Sequence, residues 1–103
     1  MYPRPARYRL AAILLLCWIS GCVTDPPVQE MSDARQAIMA AEAANAEQHA
    51  ATTLADARRY LDMAEQLIED EVYGAARMNA VRARNRAARA LEIAQAAAAE
   101  ASD

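Results

Sequence analysis

Few side chains in this sequence are suited to chemistry, and their positions restrict what that chemistry can be. His49 is the only histidine and lies near a predicted turn, where a lone imidazole is typical of a solvated polar residue. Asp62, Glu65 and Glu69 share one face of a predicted helix and can gather a cation, although such a charge run is typical of a solvated face. Cys22 offers a nucleophilic thiol, and its surroundings are more informative.

Cys22 closes a segment that has the three parts of a secretory signal. Three arginines open the segment: Arg4, Arg7 and Arg9. An uncharged, mainly apolar run follows at 10–19, and the small residues Ser20 and Gly21 precede the cysteine. This order of basic, apolar and small residues predicts a secretory signal. The run has about ten residues where a membrane-spanning helix needs roughly 20, which disfavours the alternative of an uncleaved membrane anchor.

The residues Ile19-Ser20-Gly21-Cys22 resemble the lipobox of bacterial lipoproteins. In that family the cysteine thiol is joined to a diacylglycerol, the signal is cut before it, and the new amine is acylated. The resemblance implies a signal peptide at 1–21, cleavage between Gly21 and Cys22, and a lipidated Cys22 with a tether over 22–27. Because Val23 rather than an aspartate follows the cysteine, it also implies export to the outer membrane, with the chain facing the periplasm. Asp25 leaves retention in the inner membrane open.

Cleavage before Cys22 changes the charge balance and the chemistry that remains. All 14 acidic residues follow the signal, against 8 of the 11 arginines, which gives the remaining chain a net charge of −6. Such an acidic chain does not favour nucleic acid as a partner. No free thiol, second histidine or glycine-rich phosphate loop remains. We therefore expect a protein that is not an enzyme and that uses no metal or cofactor.

The remaining residues predict an all-α fold with a thin core. Alanine, arginine, glutamate, glutamine, methionine and leucine dominate, and these residues are strong helix formers. Helices are expected over 28–44, from Thr53 to about Asp70, and over 73–98, with a frayed tail at 99–103. Short connections predict an antiparallel αα-hairpin of the second and third helices, with the first helix beside it in a three-helix, bundle-like domain at 28–98. Oligomerisation would compensate for so small a core.

The predicted buried stripes follow three- and four-residue steps. In the first helix they are Met31, Ala34, Ile38 and Ala41; in the second Leu54, Ala57, Leu61, Ala64 and Ile68; in the third Ala76, Ala80, Ala83, Ala87, Ala90 and Ala94. Asn45 is the expected end of the first helix because asparagine tolerates the left-handed conformation. Thr53 and Asp56 are expected to form a capping box at the start of the second helix.

Four segments also resemble the bacterial family called "domain of unknown function 4398". They are Ser32-Asp33-Ala34-Arg35, Ala44-Asn45-Ala46, the residues 49–54, and Tyr73-Gly74-Ala75-Ala76-Arg77. The resemblance covers residues 26–98 and implies a small lipoprotein or a segment ahead of a peptidoglycan-binding module. It brings no activity and no catalytic residues. That family tends to have proline where this chain has Ala51, which leaves open that the first two helices run together.

One row of charge suggests a contact surface. Arg82, Arg86 and Arg89 recur at steps of four and three residues on the third helix. They form either a docking strip for an acidic partner or a solvated face paired with acids of the other helices, and exposed pairs of that kind are common and weak. The main functional hypothesis is a lipid-anchored helical envelope protein that mediates protein–protein interaction or self-assembly. The alternative is a wall-associated structural lipoprotein with non-covalent peptidoglycan contact, and a small-molecule carrier ranks last because nothing supplies an apolar pocket.

Overall fold

The computed structural model describes residues 25–103, which form four helices in the order α1 Val28–Ala43, α2 Ala46–His49, α3 Ala51–Glu69 and α4 Tyr73–Ala101. Within these residues there is no β-strand, so the predicted all-α class is confirmed for this part of the chain. None of these helices combines the length and the apolar character needed to cross a membrane. The predicted signal peptide and the lipidated Cys22 lie outside the described residues.

Helix α1 begins directly after a proline and ends at a left-handed residue. The amide of Met31 donates to the carbonyl of Pro27 over 3.0 Å, so the proline supplies the first acceptor of the helix. The four residues predicted for the buried face of α1 are the four that are buried: Met31, Ala34, Ile38 and Ala41. Asn45 adopts a φ of 63°, which confirms its predicted role as the residue that ends the helix.

The predicted capping box at the start of the second long helix is wrong. The short helix α2 intervenes, and α3 begins at Ala51, two residues before Thr53, with no side-chain cap. The backbone supplies the connection instead. The amide of Ala50 donates to the carbonyl of Ala46 over 2.7 Å, and the carbonyl of Ala50 accepts from the amide of Leu54 over 2.9 Å. The carboxylate of Asp56, predicted to take part in the capping box, instead pairs with the guanidinium of Arg59 at a distance of 3.1 Å. α1 and α3 are therefore separate helices, joined through the turn of α2.

The connection between α3 and α4 is a Schellman motif built without glycine. The amide of Glu71 donates to the carbonyl of Ile68 over 3.0 Å, and the amide of Val72 donates to Leu67 over 2.8 Å. These two bonds satisfy carbonyls that the end of α3 would leave without partners. The motif requires a left-handed residue at Glu71, whose φ is 61°. The break falls at the predicted position, and α4 continues to Ala101, three residues beyond the predicted Ala98.

The core is organised around the alanine stripe of α4. All six predicted alanines of that stripe are fully buried. Four of them belong to two clusters formed with α1 and α3. The first contains Ile38 and Ala41 of α1, Leu54 and Ala57 of α3, and Ala87, Ala90 and Ala94 of α4. The second contains Met31 of α1, Ala64 of α3 and Ala80 of α4, with Leu61 and Ile68 packed against it.

The two clusters show how a core with so few large side chains is filled. The large residues come from α1 and α3, while α4 contributes alanine, which allows close approach of the helix backbones. Leu54, 1% exposed, is the largest fully buried side chain among the described residues, followed by Pro27. Because α4 packs mainly through this stripe and its flanking residues, the face of α4 away from α1 and α3 is left uncovered.

Candidate functional site

The uncovered side of α4 carries the predicted arginine row. Arg82, Arg86 and Arg89 are all exposed, and they alternate along the helix with the buried residues Ala83 and Ala87. Each residue advances about 100° around an α-helix, so a row with steps of four and three residues stays on one side of it. We call Arg82, Arg86 and Arg89 the arginine face. All three predicted docking residues therefore lie together on one solvent-exposed surface.

The arginine face has little charge compensation within the part of the chain described. Neither Arg82 nor Arg86 has a carboxylate oxygen within 4.0 Å among residues 25–103. Arg89 pairs with Glu92 of its own helix over 3.1 Å, and both side chains are about two thirds exposed. An exposed pair one helical turn apart is weak and readily exchanged. The face thus presents two guanidinium groups without an ion-pair partner among residues 25–103 and a third in a weak pair, and guanidinium groups bind planar anionic groups such as carboxylates.

Other arginines of the chain have a different role, since they join helices. Arg77 of α4 donates to Glu30 of α1 over 3.1 Å, and Arg35 of α1 donates to Glu65 of α3 over the same distance. The Arg77–Glu30 pair is the more buried of the two, with both side chains about one third exposed. These cross-helix pairs explain why Arg77, which lies close to the arginine row in sequence, does not belong to the exposed face.

A second cluster of charge lies where α1, α2 and α3 meet. Arg58 of α3 pairs with Glu47 of α2 and, over 3.2 Å, with Glu42 of α1. The hydrogen bond that Arg58 donates to Glu47 is the main cause that raises the pKa of Arg58 above its ordinary value; desolvation opposes it, and the hydrogen bond to Glu42 adds to it. A shallow cavity of about 150 Å³ beside this cluster is lined by Glu47, Ala51, Leu54 and Arg58. Only one apolar side chain larger than alanine lines it.

Sequence reasoning did not identify this cluster. Its members lie on three different helices, and no periodic pattern connects Glu42, Glu47 and Arg58. The only sequence signal is the opposite charge of residues that flank the turn between α1 and α3. We interpret the cluster as a link that holds the irregular α2 turn, because Arg58 of α3 pairs with a glutamate of α1 and a glutamate of α2.

The remaining candidate residues do not converge on one another. His49 is exposed at the end of α2. Asp62 and Glu69 are exposed on α3, whereas Glu65 is held by Arg35. Among the residues that the structure describes, no group of three or more histidine, cysteine, aspartate or glutamate side chains is placed to hold a metal ion.

One buried polar side chain was not predicted from the sequence. Asn79 is 6% exposed beside the alanine stripe of α4, and its Nδ2 donates to the carbonyl of Ala75 over 2.9 Å. Its Oδ1 has no hydrogen-bond partner among the described residues. Buried carbonyl oxygens are nearly always paired, so this atom is an exception among the described residues. Asn79 lies between the stripe residues Ala76 and Ala80, at a position where periodicity alone predicts a flanking residue rather than a buried one.

Comparison with known proteins agrees with the resemblance seen in the sequence. No curated protein matches the chain, and no solved structure matches it either. The family described as "Domain of unknown function (DUF4398)" matches residues 29–103. This region contains all four helices except the first residue of α1, and it includes the alanine stripe and the arginine face. The chain therefore belongs to the family described as "Domain of unknown function (DUF4398)".

Proposed function

We propose that this protein is a non-enzymatic, lipid-anchored helical protein of the bacterial envelope that binds another protein, or a second copy of itself, through the arginine face. One observation carries this proposal. α4 is buried mainly through its alanine stripe, while the three arginines of the arginine face lie outside that stripe and are exposed. A helix that only completed a core would not need a row of cations with so little compensation. A face of this kind fits a partner with a row of carboxylates.

The architecture we infer explains how the face is presented. The beginning of α3 shares a cluster with the end of α4, and the end of α3 shares the other cluster with the beginning of α4. We take these pairings to mean an antiparallel hairpin of α3 and α4, with α1 running along α4 in the same direction. In this bundle α4 is central, and α1 and α3 cover only its alanine side.

The anchor part of the proposal rests on the sequence around Cys22. Lipidation of Cys22 would attach the bundle to a membrane through the tether at 22–27, and Val23 favours the outer membrane with the bundle in the periplasm. One acyl chain holds a protein only marginally, whereas two or more hold it stably. Attachment would keep copies of the bundle close to each other and to envelope proteins, so that weak contacts between exposed charges become effective.

Membrane fractionation tests the anchor. The full-length chain is expressed in a Gram-negative host, and its membranes are separated on a density gradient. We expect recovery in the outer-membrane fraction with the mass of a diacylated or triacylated chain that begins at Cys22. Cys22→Ser should release the protein or leave its precursor uncut, while Cys17→Ser, which changes a residue of the signal, should behave like the wild type. Equal behaviour of the two variants, or recovery with the inner membrane, would contradict the proposed anchor or its location.

Capture from envelope extracts tests the contact surface. The full-length chain is compared with the triple variant Arg82→Gln, Arg86→Gln and Arg89→Gln, and with a control, Arg35→Gln and Arg59→Gln, that changes arginines of other faces. We expect the wild type and the control to capture the same protein, or a tagged second copy, and the triple variant to lose it. Capture that the triple variant retains in full would contradict a role for the arginine face.

Association with the cell wall is the second candidate function. Arg82 and Arg86 lack carboxylate partners among residues 25–103, and peptidoglycan stems carry free carboxylates that such guanidinium groups can bind. Sedimentation with purified sacculi distinguishes the candidates. Pelleting that requires the arginine face would favour the wall, and its absence together with protein capture would favour a protein partner.

A further inference from the structure

We propose that the arginine face binds the acidic face of α3 in a second copy of this chain, with the two helices antiparallel. The acidic face consists of Asp62, Glu65 and Glu69. This inference rests on the proposed function and specifies its partner.

The spacing of the two faces is complementary only in one direction. Along α4 the arginines lie at steps of four and then three residues, and along α3 the acids lie at steps of three and then four. When one helix is reversed, the steps coincide, and each arginine meets one acid. The three pairs are Arg82 with Glu69, Arg86 with Glu65, and Arg89 with Asp62. Each row extends over seven residue steps, or about 10 Å of helix axis.

The same charges do not pair inside one copy. Ala64 of α3 and Ala80 of α4 share one cluster, so most of the two rows lie at different heights along the bundle. Within residues 25–103 no ion pair joins the arginine face to the acidic face. The side chains are therefore available to a neighbour, and burial of α4 through alanine leaves its outer side accessible along the whole row.

Two members of the proposed pairs have partners in their own copy, and both of those interactions are exposed. Glu65 accepts from Arg35 over 3.1 Å, and Arg89 pairs with Glu92 over 3.1 Å. Exposed pairs of this kind exchange readily, and a carboxylate can accept from two arginines at once. Arg82, Arg86, Asp62 and Glu69 have no ion-pair partner in the described part of the chain.

A second copy fits this face because each copy carries both halves of the contact. The contact joins two different surfaces, so it is heterologous and leaves an arginine face and an acidic face unused at the ends of each pair. Its strength comes from exposed charges, which are weak individually and screened by salt. We therefore expect the association to be detectable mainly when copies are confined to a membrane surface, where their effective concentration is high.

Disulfide trapping tests the proposed register. Asn85 of one copy lies opposite Gln66 of the next in this register, and both residues are exposed. Full-length chains in a Cys17→Ser background, one with Asn85→Cys and one with Gln66→Cys, are reconstituted together in phosphatidylcholine vesicles and oxidised. We expect a disulfide-linked pair of copies, and a yield lower by about tenfold when Gln36→Cys replaces Gln66→Cys as the control, because contact fixes the separation of the trapped residues.

Charge reversal then tests the chemistry of the contact. Arg82→Glu, Arg86→Glu and Arg89→Glu in the Asn85→Cys copy should lower the yield by about tenfold, because each proposed pair becomes repulsive. Adding Asp62→Arg, Glu65→Arg and Glu69→Arg to the other copy should restore it to within about twofold of the original, since every pair is again of opposite sign. Circular dichroism of each variant checks that the helices are retained.

The outcomes separate this inference from the proposed function. Three results, each in variants that stay helical, would overturn the second copy as partner. They are the absence of disulfide trapping, a disulfide yield that charge reversal does not change, and a yield that the second set of reversals does not restore. If the chain with Asp62→Arg, Glu65→Arg and Glu69→Arg then still captured an envelope protein through its arginine face, the proposed function would hold without this inference. If the arginine face neither captured an envelope protein nor gave disulfide trapping, both the proposed function and this inference would be contradicted.

Discussion

Arg77 of α4 donates to Glu30 of α1 across 3.1 Å, and the two residues are 47 positions apart in the sequence. This pair links the first turn of α1 with the second turn of α4. It lies near Met31 and Ala80, which share one of the two core clusters. The pair therefore marks where α1 begins to pack along the central helix.

A double-mutant cycle on Arg77→Gln and Glu30→Gln should give a coupling of about 0.5–1 kcal/mol in the free energy of unfolding, because both side chains are half-buried. The exposed pair of Arg89 with Glu92 is the control and should give no more than about 0.5 kcal/mol. Chemical denaturation measures both values. Equal coupling in the two cycles would show that the Arg77–Glu30 pair does not hold α1 on α4.

The alanine stripe of α4 should not tolerate larger residues. Ala87 is fully buried in the first cluster, so Ala87→Leu forces the helices apart and should lower the free energy of unfolding by about 1–3 kcal/mol. The neighbouring Ala88 is exposed, so Ala88→Leu should change the free energy of unfolding by less than about 0.5 kcal/mol. A large loss at both positions would contradict packing through a narrow stripe.

These stripes are the part of the fold that the sequence predicts well. Steps of three and four residues place side chains on one side of a helix whatever its neighbours are, so the buried face of α1 and the alanine stripe follow from spacing alone. The start of α3 does not follow from the spacing of residues. Thr53 and Asp56 satisfy a local capping pattern, yet the backbone connection through Ala50 moves the start of α3 to Ala51.

Glu71 is a position where glycine should stabilise the protein. It occupies the left-handed position of the Schellman motif, where a side chain is unfavourable and a carboxylate faces the negative end of the α3 dipole. Glu71→Gly should raise the free energy of unfolding by about 0.5–1 kcal/mol. The preceding Asp70 has an ordinary φ of −82°, so Asp70→Gly should lower stability. The opposite order of the two variants in thermal denaturation would contradict this geometry.

Asn79 should be replaceable without loss of stability, although it is buried. Its Oδ1 has no partner among the described residues, and alanine is the better helix former, so Asn79→Ala should raise the free energy of unfolding by about 0.5–1 kcal/mol. Leu54→Ala, a truncation at a well-packed site, should lower it by about 2–5 kcal/mol. A loss above about 1 kcal/mol for Asn79→Ala would show that Oδ1 accepts a hydrogen bond in solution.

The candidate site was predictable to a different extent from the fold. The arginine face follows from spacing, and the structure places its three residues on one exposed surface. The pairing of Arg77 with Glu30, the cluster around Arg58 and the burial of Asn79 were not predictable. Each depends on how helices are rotated against one another, and that rotation is set by tertiary packing rather than by the pattern of any one helix.

Photocrosslinking in living cells tests the central claim most directly. A photoreactive amino acid at Asn85, beside the arginine face, is compared with the same amino acid at Gln36 on α1; both positions are exposed. If the arginine face is the contact surface, Asn85 gives a discrete adduct with a second copy or another envelope protein, Gln36 does not, and the triple variant Arg82→Gln, Arg86→Gln and Arg89→Gln abolishes it. No adduct from Asn85, or an adduct that persists unchanged in the triple variant, would contradict the account.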